Sequence, residues 1–171
     1  TGDPDMREAV IVSTARTPIG KAYRGAFNNT EAATLGGHVV RHAVQRAGLD
    51  PAEVEDVVMG CALPQGTQGQ NIARQTALAG GLPVTTAGMT VDRQCSSGMM
   101  AIAVAAKTIM VDNVDIMVGE GLGQLCLGTT GRGDRRVVPD VESFRIRAVQ
   151  VQGAAHPGLV LPCVDARRIV G

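Results

Sequence analysis

The four cysteines, at positions 61, 95, 126 and 163, are the side chains of this chain best suited to covalent chemistry. One of them has neighbours that would make it reactive. Cys95 is followed by Ser96, Ser97 and Gly98, and then by Met99, Ile102, Ala103, Ala106, Ile109 and Met110, which share one face of a helix. Just before it, Met89-Thr90-Val91 reads as a short strand. A cysteine placed where a strand runs into a helix meets unsatisfied N–H groups and the positive end of the helix dipole, and both favour a thiolate. Small residues in the first turn leave room for a carbonyl to approach, and backbone N–H groups of that turn can bind a developing oxyanion. The competing reading is a small hydrophobe buried at the head of a core helix. Placement alone leaves both open.

The remaining candidates are weaker. The cysteines form no CxxC pair and have no accompanying histidine spacing, so neither a zinc site nor a disulfide framework is expected. His38 and His42 lie one turn apart on a helix and could supply two metal ligands, but without a third they read as an ordinary helix face.

The elements that must position Cys95 alternate between strand and helix. Glu8 to Thr14 is a β-branched apolar run bounded by Pro18 and Gly20, the pattern of a buried strand. Thr30 is placed to cap a helix whose apolar positions are Leu35, Val39, Val40, Ala43, Val44 and Ala47, with Gly48 as its C′ residue. Asp50-Pro51-Ala52-Glu53 predicts a capped helical turn, and Val57-Val58-Met59 the next strand, ending at Gly60. Asn71 to Ala79 predicts a second helix, stopped by Gly80-Gly81. After the long helix that starts at Cys95, Asp112-Asn113 turns the chain and Val114 to Val118 gives a fourth strand. The expectation is an α/β fold with a mostly parallel sheet covered by helices on both faces. After about Gly121 no clean period of 2 or 3.6 remains, and the only lysines, Lys21 and Lys107, lie behind. The reading is therefore an α/β domain over residues 7–121 and a divergent or irregular segment over 122–171, with no ordered continuation of the sheet expected there.

Composition sets the outer limits. Apolar residues make up 44% of the 171 but aromatics only 2%, so the core must be built from Val, Ala, Ile, Leu and Met. A formal net charge of zero gives no electrostatic reason to expect nucleic acid or an anionic membrane as partner. No apolar run is expected to reach membrane-span length, and the first residues lack a signal-like pattern, so a cytoplasmic protein is the expectation.

The residues around Cys95 resemble a known family. Val91-Asp92-Arg93-Gln94-Cys95-Ser96-Ser97-Gly98-Met99 is similar to the nucleophile segment of thiolases. Ser13-Thr14-Ala15-Arg16-Thr17-Pro18-Ile19-Gly20 resembles the opening segment of that family. Gly69-Gln70-Asn71-Ile72-Ala73-Arg74-Gln75, followed by Gly80-Gly81-Leu82-Pro83, resembles its second helix and exit. The three occur in the family's order and at its intervals, within residues 7 to 121. The resemblance implies the amino-terminal half of a layered, two-half fold. It implies acyl transfer between CoA thioesters, with Cys95 as nucleophile and its own N–H as an oxyanion donor. Acetyl-CoA or another acyl-CoA would be the substrate, with no metal and no cofactor beyond CoA. It further implies a homo-oligomer, dimer or tetramer, with Gln70 and Asn71 in a subunit-contact region and structural in role.

The resemblance also implies a second cysteine and a histidine on a carboxy-terminal half, and thiolases run to more than twice this length. His156-Pro157-Gly158 and Cys163 are similar to the family's motifs in type but not in spacing or surroundings. Gly119-Glu120-Gly121-Leu122-Gly123 keeps a glycine pattern, yet Gln124-Leu125-Cys126 replaces the acidic–serine continuation. The alternatives are a non-catalytic module that associates with other subunits, a fragment without a function of its own, and, by shared fold, a ketoacyl synthase.

Overall fold

A computed structural model describes residues 9–18, 20 and 25–122, together with the backbone of 146–150. Five strands form one sheet: β1 (Val10–Ala15), β2 (Asp56–Gly60), β3 (Ala87–Val91), β4 (Ile116–Gly121) and β5 (Ile146–Gln150), in the order β1-β5-β4-β2-β3. Strands β3 and β4 both run parallel to β2, whereas β5 is antiparallel to its neighbours β1 and β4. Among the described residues, three α-helices cover the sheet: α1 (Ala32–Ala47), α2 (Ile72–Ala79) and α3 (Ser97–Val111).

Alternation along the strands sends side chains to two cores. Val57, Met59 and Val118 point to one face, where Val40 and Val44 of α1 and Ile72, Ala73 and Ala77 of α2 meet them. Val58 and Met117 point the other way, onto Ala101, Ala105 and Ile109 of α3. The expected parallel-dominated sheet with helices on both faces is what the structure shows. Small residues set the spacing between layers. A methyl group on Gly37 would lie 2.6 Å from the carbonyl carbon of Ala79, so α1 and α2 touch backbone to backbone.

The start of α1 differs from the expectation by one residue. Its N-cap is Glu31, without a side-chain cap bond: the Glu31 carbonyl accepts the first helical N–H groups, those of Thr34 and Leu35, while Thr30 belongs to the preceding turn through its N–H bond to the Phe27 carbonyl. The other end agrees: Gly48 takes φ 70° and donates its N–H to the carbonyls of Val44 and Gln45. The Asp50 capping box is also present, with Ala52 N–H donating to Asp50 and Asp50 N–H to Glu53.

Two expectations are corrected. The sheet does continue beyond residue 121, because Ile146–Gln150 lies between β1 and β4. Its apolar–polar alternation breaks at Ala148-Val149, so the local signal is weak, and two neighbouring strands with open backbone edges supply what the pattern lacks. Residues 123–145 and 151–171, which hold the rest of the segment expected to be irregular, are outside the described residues. Secondly, the 18 residues Gln94–Val111 are long and apolar enough to cross a membrane by length and composition. The α-helix within them packs one side on the sheet, which is also the pattern of a core helix.

Candidate active site

Strand β3 is an edge of the sheet, and the chain leaves it through a tight bend that ends in α3. The bend is held by its own side chains. Asp92 accepts the N–H of Gln94 at 2.9 Å, and Gln94 is thereby set at φ 50°, a left-handed conformation that costs a non-glycine residue about 1 kcal/mol or more. Ser97 closes the turn from inside: its hydroxyl accepts the Arg93 N–H at 2.8 Å and donates to the Gln94 carbonyl at 2.6 Å. Ser96 donates its hydroxyl to the Arg93 carbonyl at 2.9 Å. Gln94–Ser96 form a single 3-10 turn, and the α-helix proper begins at Ser97, two residues later than the sequence suggested. Ser97 and Gly98 are buried, whereas Cys95 on the outside of the turn is exposed.

This bend can sit so close to the sheet because β2 ends in glycine. A methyl group on Gly60 would overlap the carbonyl group of Ser97 and the amide nitrogen of Gly98. One residue on, the Cys61 N–H donates to the Val91 carbonyl at 2.9 Å and continues the β2–β3 pairing to the foot of the bend. The carboxy-terminal ends of parallel strands thus deliver the cysteine, the region where open α/β sheets place their chemistry.

The two described cysteines have opposite environments. Cys61 is fully buried, and its thiol lies 3.3 Å from the Gln68 side-chain carbonyl. Burial pushes that thiol up from its ordinary range and the Asp92 carboxylate adds to the effect, against a lowering by a backbone hydrogen bond from Leu63. Such a thiol stays protonated and inert. Of the sequence-predicted site residues, Cys95 is therefore presented to solvent on a shaped turn. Cys126, Cys163 and His156 lie outside the described residues.

Asn71 has a positional role. It caps α2 by accepting the Arg74 N–H at 3.3 Å, takes the Thr90 hydroxyl at 3.0 Å and donates to the Gly88 carbonyl at 2.6 Å. Helix α2 is thereby tied to β3, and Arg74 extends the tie to the carbonyls of Val84 and Thr86. Gln70, at φ 57°, shapes the entry to the helix. His38 and His42 stack edge to face with ring centroids 4.4 Å apart, and among the described residues no group of three His, Cys, Asp or Glu side chains could hold a metal ion.

Glu120, which sequence reasoning passed over as part of a glycine pattern, is fully buried at the end of β4, and among the described residues its Oε2 atom has no hydrogen-bond partner. Burial pushes its carboxyl well above the usual carboxylate range. The signal was in the sequence, as a lone acid at the end of the apolar run Ile116-Met117-Val118.

The family described as "Thiolase, N-terminal domain" matches residues 9–155. The chain is 43% identical over 116 residues to the 3-ketoacyl-CoA thiolase of Bacillus subtilis, an overlap of 68% of this chain and 30% of that protein. It is 40% identical over 122 residues to the acetyl-CoA acetyltransferase of Paracoccus denitrificans, covering 71% of this chain and 31% of the relative. Among solved structures, a thiolase from Ascaris suum in complex with coenzyme A superposes with a TM-score of 0.63 at 35% identity, over 67% of this chain and 30% of that one. The chain therefore spans less than a third of the length of these relatives.

Proposed function

The chain belongs to the thiolase family, and from that premise we propose that it serves thiolase-type acyl transfer, with Cys95 as the residue acylated by an acyl-CoA. The observation that carries the reading is the exposure of Cys95 on a braced turn, at the end of the sheet where Cys61 is buried and held protonated. In the first half-reaction the Cys95 sulfur attacks the thioester carbonyl carbon. A new C–S bond forms, the C–S bond to CoA breaks, and CoA leaves as the thiolate that takes up the cysteine proton. In the second, the enolate of acetyl-CoA attacks the acyl-enzyme to give a 3-ketoacyl-CoA, or, in the degradative direction, CoA cleaves a 3-ketoacyl-CoA. The base and acid for these steps belong to a second half that the resemblance implies, so the isolated chain is expected to acylate slowly and not to turn over. A CoA thioester as the only small-molecule requirement, a place in fatty-acid metabolism including β-oxidation, a cytoplasmic location and a dimeric or tetrameric assembly complete the proposal.

The test is to incubate the chain with acetyl-CoA and map covalent acetyl groups by peptide mass spectrometry. Acetylation of Cys95 and of no other cysteine is the expected result. No adduct, with Cys95 alkylating no faster than Cys61, would sink the catalytic reading.

A second reading, a non-catalytic module that pairs with other subunits, is favoured by apolar side chains left in the open, among them Met99 at 68% and Val111 at 71% exposure on α3. It predicts a defined oligomer in sedimentation together with ordinary thiol reactivity. A monodisperse monomer would count against it.

A further inference from the structure

At the far edge of the sheet from Cys95, the end of β1 and the side of α1 that packs on it form a small open pocket lined by Ala15, Arg16, His38, Val39, His42 and Arg46. Four inter-strand steps separate β1 from β3, about 19 Å at the usual spacing of about 4.8 Å, so the pocket is a place apart from the candidate nucleophile. Its lining holds two guanidiniums, with two imidazoles beside them and no acidic side chain. Arg46 is fixed over the strand by donating Nη1 to the Thr14 carbonyl at 2.8 Å, which leaves its other N–H groups to turn elsewhere. His38 and His42, 4.4 Å apart, form one wall.

A metal ion is the wrong occupant. Two histidines supply only two ligands, no third is grouped with them among the described residues, and two flanking guanidiniums repel a cation. Size limits the ligand further. The pocket has about 100 Å³ of inner space and one side stands open, so a small group fits inside while the rest of a larger ligand would stay outside. That is room for one oxyanion group.

We propose that this pocket binds a phosphoryl oxyanion, gripped by Arg16 and Arg46 and walled by the His38–His42 pair. Arginine forks match the geometry of such an anion, and its charge offsets the repulsion between the two guanidiniums. Two sources share the chemistry, free phosphate and the phosphate groups of a coenzyme A substrate.

Calorimetric titration of the full chain with inorganic phosphate in low-salt buffer tests the site. One saturable event is expected, weakened roughly three- to tenfold by Arg16→Gln and by His38→Asn, and unchanged by Lys107→Gln. Arg16, His38 and Lys107 are all exposed, so none of these variants threatens the core, and Arg16→Gln and Lys107→Gln remove the same charge from different places. Absence of saturable binding overturns the proposal, and so does equal weakening by Arg16→Gln and Lys107→Gln, which would mean diffuse charge attraction. Displacement of phosphate by coenzyme A but not by its 3′-dephospho form would support the site and name the substrate as the source. Failure of both to displace it would support a site for free phosphate. Neither readout depends on acetylation at Cys95.

Discussion

At the scale of single residues, environment separates groups of the same type. Cys61 and Cys95 stand at the same end of the sheet, yet one is enclosed and pushed up by burial while the other faces solvent on the turn. With iodoacetamide at pH 8, Cys95 is expected to alkylate at least about ten times faster than Cys61, read by peptide mass spectrometry. Comparable rates would mean that the enclosure opens as readily as the chain breathes. Glu120 has a consequence for stability. Its folded carboxyl titrates above the unfolded value of about 4.3, so between those two values the native state binds more protons than the unfolded one. Stability contributed this way is fully present below about pH 4.3 and declines as pH rises through the window, by up to about 1.4 kcal/mol per pH unit. Asp56, also raised by burial despite a hydrogen bond from Val57, adds in the same direction. Glu120→Gln is expected to flatten the fall in urea midpoint between pH 5 and 7. An unchanged slope would show that the carboxyl reaches a partner.

At the scale of elements, the bend before α3 depends on a glycine that touches nothing chemical. Gly60→Ala places a methyl against backbone atoms of Ser97 and Gly98, which cannot rotate away. The expected cost is about 1–3 kcal/mol by denaturant unfolding, together with slower acetylation of Cys95. Gly48→Ala is the contrast: open space surrounds it, so only its φ of 70° is strained, and about 1 kcal/mol should be lost with no effect on Cys95. Ser97→Ala removes the hydroxyl that both accepts from Arg93 and donates to Gln94, with an expected loss of about 1–2 kcal/mol and a slower Cys95. Much of this was legible beforehand. Strands β1 to β4 and the three described α-helices follow from periodicity, and Gly48 and the Asp50 box from capping chemistry. What escaped depends on partners distant in sequence. The tolerance for nothing but hydrogen at Gly60 belongs to a helix that begins 37 positions later, and β5 is a strand by virtue of the two edges it joins.

At the scale of the whole molecule, α3 is apolar around most of its circumference, yet only 22% of Gln94–Val111 is buried. A helix of that kind is built to be enclosed on more than one side. The chain on its own is therefore expected to bind a hydrophobic dye and to self-associate with rising concentration, and Met99→Lys should reduce both. A lack of dye binding would mean that the open side of α3 is already covered. The sheet order carries a different consequence, one of timing. Strands β3 and β4 both pair with β2, pairings that need nothing beyond residue 121, but β1 has β5 as its strand neighbour. Among the described strands, the earliest in the chain is thus the last to be joined on the ribosome: until residues 146–150 emerge, β1 lacks its described strand neighbour while β2, β3 and β4 assemble.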